Sequence, residues 1–294
     1  MAVGELRTES VISRAIDRDG IDTSALAHQL QQALHRRLRE AVATRGPLGI
    51  EVPGPDTGNG AAAADPLSLE RASILRAKLT KPETVAALTL ATFVPWLSCP
   101  ERLELAGLND FRELHFDARC PTGIRGTPPV VDFMALGPGG AVGAAVQGLG
   151  YLALRTRKTT TAYARMELPA ELRAWAAFLG SNEAARGRFR HVAGNAMARM
   201  AVGLGKIFVG RPVRLLYLFL EPEGAAGQPP FREHRAELAE LADATAASTV
   251  TLVAMSLGEL WASWLALDPP PAVRGIVAEL RHRYAVVMPA TARL

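Results

Sequence analysis

Residues 130–147 read VVDFMALGPGGAVGAAVQ. Two runs of strand-forming residues, 130–136 and 141–147, flank the turn-forming sequence GPGG at 137–140. This pattern predicts a β-hairpin, because a short loop rich in glycine and proline between two such runs is a strong hairpin signal. The first run contains one acid, Asp132, and the second contains none. The hairpin decides the fold because other strand-like segments stand on both sides of it.

Three other segments have the pattern of strands. Residues 112–119 alternate between apolar and polar side chains, which indicates a strand with one buried face. Residues 213–220 form a nearly continuous apolar run, which is typical of a strand buried on both faces. A short strand is expected at 249–254. With the hairpin, these segments predict a mixed sheet.

Helices are expected between and around these strands. The sequence Thr80-Lys81-Pro82-Glu83 is a capping box with an early proline, and it predicts a helix from there to about Leu97. The order α-β-β-β-α-β-α, with a helical crossover before the last strand, predicts an α/β fold with a mixed sheet flanked by helices. The other predicted helices are 66–79, 169–180, 190–206, 230–246, 256–266 and 270–284.

The N-terminal part carries a basic amphipathic helix, predicted at 22–44. Its apolar stripe repeats at every fourth residue, and Arg36, Arg37 and Arg39 cluster near its end. Such a helix packs its stripe on the body of the protein or, alternatively, contacts DNA or a partner. The stripe consists of Leu26, Leu30, Leu34, Leu38 and Val42. The predicted division is an N-terminal helical appendage at 1–46, a Pro/Gly/Ala linker at 47–65, an α/β domain at 66–268 and a C-terminal helix and tail at 269–294.

Composition bounds the class of protein. The chain has 294 residues, of which 49% are hydrophobic, enough to bury a sizeable core. It has no apolar run of the roughly 18 residues that a membrane span needs. Its first residues lack a signal-peptide pattern, so a cytoplasmic protein is expected. Cys99 and Cys120 lack metal-ligand spacing and are expected to be reduced thiols.

The basic residues are almost all arginines. The formal net charge is +4, and lysine occurs only at 78, 81, 158 and 206. The planar guanidinium group suits phosphate contacts because it donates to two oxygens at once. The charge therefore permits nucleic-acid binding without requiring it.

Four segments carry a resemblance to a known family. They are residues 119–132 (RCPTGIRGTPPVVD), 211–222 (RPVRLLYLFLEP), 231–237 (FREHRAE) and 259–264 (ELWASW). Together they resemble an uncharacterised bacterial branch of the restriction-endonuclease-like PD-(D/E)xK nuclease superfamily, over about residues 66–265. The resemblance implies a restriction-endonuclease-like fold and, in an active member, Mg²⁺-dependent cleavage of phosphodiester bonds.

The resemblance gives this chain one acid of the family's metal site, and the other residues of that site are absent from it. Asp132 matches the family's first metal-binding acid. On the second hairpin strand, Ala145 and Gln147 stand where the family has a glutamate and a lysine, and Gly150 replaces a second glutamate. A following helix, where the family has glutamine, lysine and histidine, aligns here with Ala196, Arg199 and Met200.

One carboxylate is a poor Mg²⁺ site, because the ion requires several oxygen ligands. The resemblance therefore implies a vestigial site, with Asp132 as its one weak metal candidate and no cofactor expected. Mg²⁺ is expected only if the catalytic residues have been relocated. In that case Glu83 could replace the missing acid, and Arg155, Lys158 or Arg199 the missing cation.

Three functions remain open. The first is a catalytically inactive, nuclease-like module that binds nucleic acid non-specifically. The second is a protein–protein scaffold subunit without affinity for nucleic acid. The third is an active Mg²⁺-dependent nuclease with relocated residues around Asp132. For the first, the residues expected to contact phosphates are Arg119, Arg125, Arg155, Arg157, Lys158 and Arg199, with the arginines of 36–39. The oligomeric state stays open.

Overall fold

In the computed structural model, which describes residues 22–50, 73, 77–153, 168–184 and 189–288, five strands form one mixed sheet. Strands β1 to β3 pair antiparallel, and β3 to β5 pair parallel, in the order β1-β2-β3-β4-β5. This arrangement confirms the predicted α/β fold with helices flanking a mixed sheet. The strands are β1 (Glu113–Arg119), β2 (Val130–Gly137), β3 (Gly140–Gln147), β4 (Val213–Phe219) and β5 (Val250–Ser256).

The hairpin of β2 and β3 is confirmed. Gly137 pairs with Gly140, so the connecting turn is only two residues long. Gly140 has a φ of 144°, and a Cβ atom there would lie 2.4 Å from the carbonyl oxygen of Pro212. Glycine is therefore required at this corner, because a side chain would collide with the backbone that leads into β4.

Seven helices have defined bounds in the described residues. Helices α3 and α4 connect β3 to β4, and α5 connects β4 to β5, as parallel neighbours require. None of the described helices is long and apolar enough to span a bilayer. The helices are α1 (Thr23–Arg45), α2 (Val85–Phe93), α3 (Arg173–Ala184), α4 (Gly194–Ile207), α5 (Pro229–Thr245), α6 (Leu257–Ala266) and α7 (Pro271–Arg283).

The predicted capping box at residues 80–83 is wrong. The N-cap of α2 is Thr84, whose hydroxyl accepts a hydrogen bond from the Ala87 amide at 3.1 Å. Helix α2 ends at Phe93 and a 3₁₀ turn follows at 94–98, because Pro95 has no amide proton to continue the α-helical pattern. The predicted helix at 66–79 lies mostly outside the described residues; within it, residues 77–79 are helical.

Helix α1 packs its leucine stripe on the body of the protein, as predicted. Four leucines and Ala41 are buried, whereas Val42 is 40% exposed, so Val42 was wrongly placed in the stripe. A helix turns every 3.6 residues, so a four-residue step drifts off the buried face by the fifth position. The helix contacts residues 149–153 and α7. The buried leucines are Leu26, Leu30, Leu34 and Leu38.

Helices cover both faces of the sheet. A Cβ atom on Gly143 would touch the Leu204 side chain of α4. Phe133, which pairs with Ala144, stacks on Phe93 of α2 with ring centroids 3.8 Å apart. Successive residues of a strand point to opposite faces, so α4 and α2 lie on opposite sides of the sheet. Helix α7 contacts α1 and α2 and belongs to the α2 side.

A tight contact joins α4 to the connection between β1 and β2, residues 120–129. A Cβ atom at Gly203 would lie 2.3 Å from the carbonyl oxygen of Cys120. We expect Gly203→Ala to lower the free energy of unfolding by about 2 kcal/mol, because backbone must move to make room. Urea unfolding measures this. Gly258→Ala in α6 is the control, since its new Cβ has no neighbour closer than 3.8 Å, and it should stabilise the protein slightly. Equal effects of the two variants would contradict the close packing.

Candidate functional site

Asp132 lies where the pairing of β1 with β2 is interrupted. The register on either side sets Asp117 opposite Asp132, yet these two residues form no ladder pair, and Asp117 has a φ of 51°. Regular alternation would send Asp132 and Phe133 to opposite faces of the sheet. Instead, Phe133 stacks on Phe93 of α2, and Asp132 lines a cavity with Leu90 of the same helix. The irregularity therefore turns the Asp132 carboxylate towards α2.

Two charged neighbours share this cavity with Asp132. Lys78 forms an ion pair with Asp117, and both side chains line the cavity. The cavity has a volume of about 10 Å³, room for about one water molecule. Thr89 and apolar side chains form the rest of its lining. Its walls consist of Lys78, Ala86, Thr89, Leu90, Phe116, Asp117 and Asp132.

The Asp132 carboxylate is buried and hydrogen-bonded. Its Oδ2 accepts a hydrogen bond from the Val146 amide at 2.7 Å. The pKa of Asp132 is raised to about 6, chiefly by burial and also by the charge of Asp117, against the opposing effects of the Val146 amide and Lys78. At about pH 6 the group is therefore only half ionised, and above that pH it carries a charge whose burial costs free energy.

The other hairpin positions supply no chemistry to this cavity. Ala145 is fully buried and lies beside Tyr217 in the β3–β4 register. Gln147 is half-buried at the end of β3, where its carbonyl oxygen accepts from the Leu220 amide at 2.9 Å. Glu83 is exposed and does not line the cavity; the neighbouring Pro82 carbonyl accepts from the Tyr284 hydroxyl at 2.6 Å.

The acid that lies beside Asp132 is Asp117, which the sequence analysis did not single out. A signal was present in the mirrored pairs Phe116-Asp117 and Asp132-Phe133. In an antiparallel pair, the register that sets the two phenylalanines opposite each other also sets the two aspartates opposite each other. No sequence pattern placed Lys78 beside Asp132, because Lys78 belongs to a segment far from the hairpin in the sequence.

This arrangement does not fit a hydrated Mg²⁺ ion. The ion prefers six oxygen ligands in near-octahedral geometry and keeps several waters. Here one carboxylate is engaged by Lys78, the other accepts from a backbone amide, and the cavity holds about one water. In the described part of the chain, no group of three or more histidine, cysteine, aspartate or glutamate side chains could hold a metal ion.

Three of the predicted phosphate-contacting residues lie near one another. The connection 120–129 rests on α4, where the Arg199 guanidinium donates to the Thr127 carbonyl at 3.3 Å. Lys206, about two helical turns further along α4, donates to the Thr122 carbonyl at 2.7 Å. Arg119 is exposed at the end of β1, directly before this connection, and Arg125 is exposed in the middle of the connection. We call the area formed by Arg119, Arg125, Arg199 and Lys206 the α4 surface.

The α4 surface has no acidic residue in the segments that form it. Residues 118–131 and 184–220 contain neither aspartate nor glutamate. Over residues 118–220 the sequence has fourteen arginines and lysines and only four acids. Although the net charge of the whole chain is only +4, its middle third is therefore strongly basic. Arg155, Arg157 and Lys158 belong to this third but lie outside the described residues.

The two histidines nearest to α4 are structural. His191 and His234 are both buried, and His234 stacks on Tyr151 with ring centroids 4.0 Å apart. Burial lowers the pKa of His234 to about 3, so the ring is neutral at physiological pH. Glu237 accepts the amide protons of residues 190–192 at 2.6 to 2.9 Å. These amides donate to Glu237 in a non-helical segment, so α4 begins at Gly194 and not at the predicted residue 190.

Comparison with family models, with curated proteins and with solved structures finds no match to this chain. Its function has to be inferred from the residues and geometry described above.

Proposed function

We propose that this protein binds nucleic acid non-specifically through the α4 surface and does not cleave it. The observation that carries the proposal is that Arg199 and Lys206 of α4 hold the connection that contains Arg125 and directly follows Arg119. Side chains that are distant in the sequence thereby form one cationic surface, and the segments that build it contain no acid.

The chemistry of the surface favours phosphates over bases. Guanidinium groups donate paired, charge-assisted hydrogen bonds to phosphate oxygens, and lysine adds a point charge. Sequence readout needs a helix or ribbon that enters a groove with side chains placed against base edges. On the α4 surface, Arg199 and Lys206 also donate to backbone carbonyls, so they are held near the protein surface. Contacts of this kind position a nucleic acid without reading its sequence.

The surroundings of Asp132 support a protein without nuclease activity. Cleavage requires a scissile phosphate and a metal ion beside the carboxylates. The cavity at Asp132 has a volume of about 10 Å³ and is lined on one side by α2, so a phosphate group does not fit within it. We also propose that the fold is restriction-endonuclease-like, which the order of three antiparallel strands followed by two parallel strands, each reached through a helical crossover, supports.

Fluorescence anisotropy with labelled single- and double-stranded DNA and RNA over a salt series tests the proposal. Binding to duplex DNA should weaken with salt, with a slope of log K against log salt of about −3 to −4, as expected for about four phosphate contacts. Lanes with Mg²⁺ or Mn²⁺ should show intact strands. Absence of binding at low salt would leave the protein–protein scaffold as the function, and metal-dependent cleavage would indicate a relocated nuclease site.

A further inference from the structure

A second basic surface lies on the opposite side of the sheet. On α1, Arg36 and Arg39 are exposed and form no ion pair within the described part of the chain. On α7, Arg281 is exposed and likewise unpaired there. The neighbouring Arg45 and Arg283 differ, because both bind Glu279. Unpaired arginines on two adjacent helices leave cationic groups available to a ligand.

A backbone contact fixes the two helices relative to each other. The Arg37 guanidinium donates two hydrogen bonds to the His282 carbonyl, at 2.6 and 2.9 Å. Arg283 is buried, and its guanidinium donates to the Gly46 carbonyl at 2.9 Å while it pairs with Glu279. The end of α1 is therefore tied to the end of α7, which holds the arginines of both helices in place.

A shallow, open depression lies between these helix ends. It has a volume of about 410 Å³ and contains Arg37, Arg281 and His282, with Glu223 as the acid in its lining. From Arg36 to Arg39 the helix rises about 4.5 Å. Duplex nucleic acid carries about three phosphate charges over that length of its axis. We call the area formed by Arg36, Arg37, Arg39, Arg281 and His282 the α1–α7 surface.

We propose that the α1–α7 surface binds a second nucleic-acid duplex, so that one protein molecule bridges two duplexes. The inference rests on the proposed function of the α4 surface. Helix α7 packs on the α2 side of the sheet and α4 on the other, so the two surfaces face away from each other. A single straight duplex cannot lie on both, and the second surface therefore takes a separate duplex. With Glu40 and Glu223 nearby, it binds more weakly than the α4 surface, whose segments contain no acid.

A bead assay with the full chain tests bridging. One duplex is biotinylated and immobilised, and a second, fluorescent duplex is captured only when protein connects the two. The wild-type protein should capture the fluorescent duplex. The variant Arg36→Glu/Arg39→Glu/Arg281→Glu should capture at least about tenfold less, while its anisotropy affinity for one duplex stays within about threefold of wild type. These side chains are exposed, so the variant should keep the wild-type unfolding midpoint.

The possible outcomes distinguish failure of bridging from failure of the proposed binding to a single duplex. Binding of one duplex without capture of the second would overturn bridging and leave the proposed function standing. Undiminished capture by the triple variant would also overturn it, because bridging would then come from association of protein molecules through their α4 surfaces. Failure of the wild type to bind a single duplex in the anisotropy assay would overturn both.

Discussion

Loss of positive charge from the α4 surface should weaken duplex binding on the order of 100-fold, because three phosphate contacts disappear and two glutamates repel the backbone. The variant is Arg119→Glu/Arg125→Glu/Arg199→Gln. Glutamine at 199 removes the charge but keeps an N–H donor for the Thr127 carbonyl. The slope of log K against log salt should fall by about 3 in magnitude, since each lost contact removes about 0.9. The affinity that remains should be that of the α1–α7 surface.

A control variant with the same change in net charge makes this result specific to the surface. Arg102→Glu/Arg112→Glu/Arg274→Gln alters arginines that lie outside both basic surfaces. Arg112 and Arg274 pair with exposed acids, Asp110 and Asp268, so their loss should affect stability little. Anisotropy titrations at equal salt compare the two variants. If the control weakened binding as much as the test variant, affinity would depend on total charge and not on the α4 surface.

The strands and most helices of this fold could be predicted because their signals are local. The apolar run that becomes β4 and the Pro/Gly turn between β2 and β3 need no knowledge of distant residues. Errors occurred where two local signals competed. Both Thr80 and Thr84 are suitable N-caps, but the Thr80 hydroxyl donates to the Ala77 carbonyl of the preceding turn, and Thr84 caps α2. The division of the chain at residues 46, 65 and 268 stays a prediction.

The candidate site was less predictable than the fold because it depends on contacts between distant segments. Alternation along β2 predicts that Asp132 and Phe133 face opposite ways, whereas both turn towards α2. That change accompanies the positive φ of Asp117 on the neighbouring strand, which the residue type alone does not indicate. Similarly, Arg119, Arg125 and Arg199 could be named as basic residues, but only the packing of Gly203 against Cys120 shows why they lie together.

Replacement of Asp132 by asparagine should raise the stability of the protein at neutral pH. The folded-state pKa of Asp132, about 6, lies above the ordinary value of 3.8. A carboxyl group with a raised pKa binds its proton more tightly in the folded state, so wild-type stability falls as the pH rises from about 4 to 6 and stays lower above that range. Asparagine cannot ionise, and its oxygen can still accept from the Val146 amide. We expect a gain of up to about 3 kcal/mol at pH 7.5 and almost none at pH 4.

Urea unfolding of the wild type and of Asp132→Asn at pH 4 and pH 7.5 measures this gain. Asp117→Asn is the matched control: that carboxylate is half exposed and pairs with Lys78 at the surface, so its loss should change stability by less than about 1 kcal/mol. A protein that keeps a destabilising buried carboxylate without using it as a metal ligand should also show no stabilisation by Mg²⁺. If Mg²⁺ stabilised the wild type but not Asp132→Asn, binding to the folded state would be demonstrated, and the cavity would have to open for the ion. A loss of stability in Asp132→Asn at pH 7.5 would instead mean that attraction to Lys78 outweighs the cost of burial, and Asp132 would then be held ionised beside a lysine, as a relocated nuclease site requires.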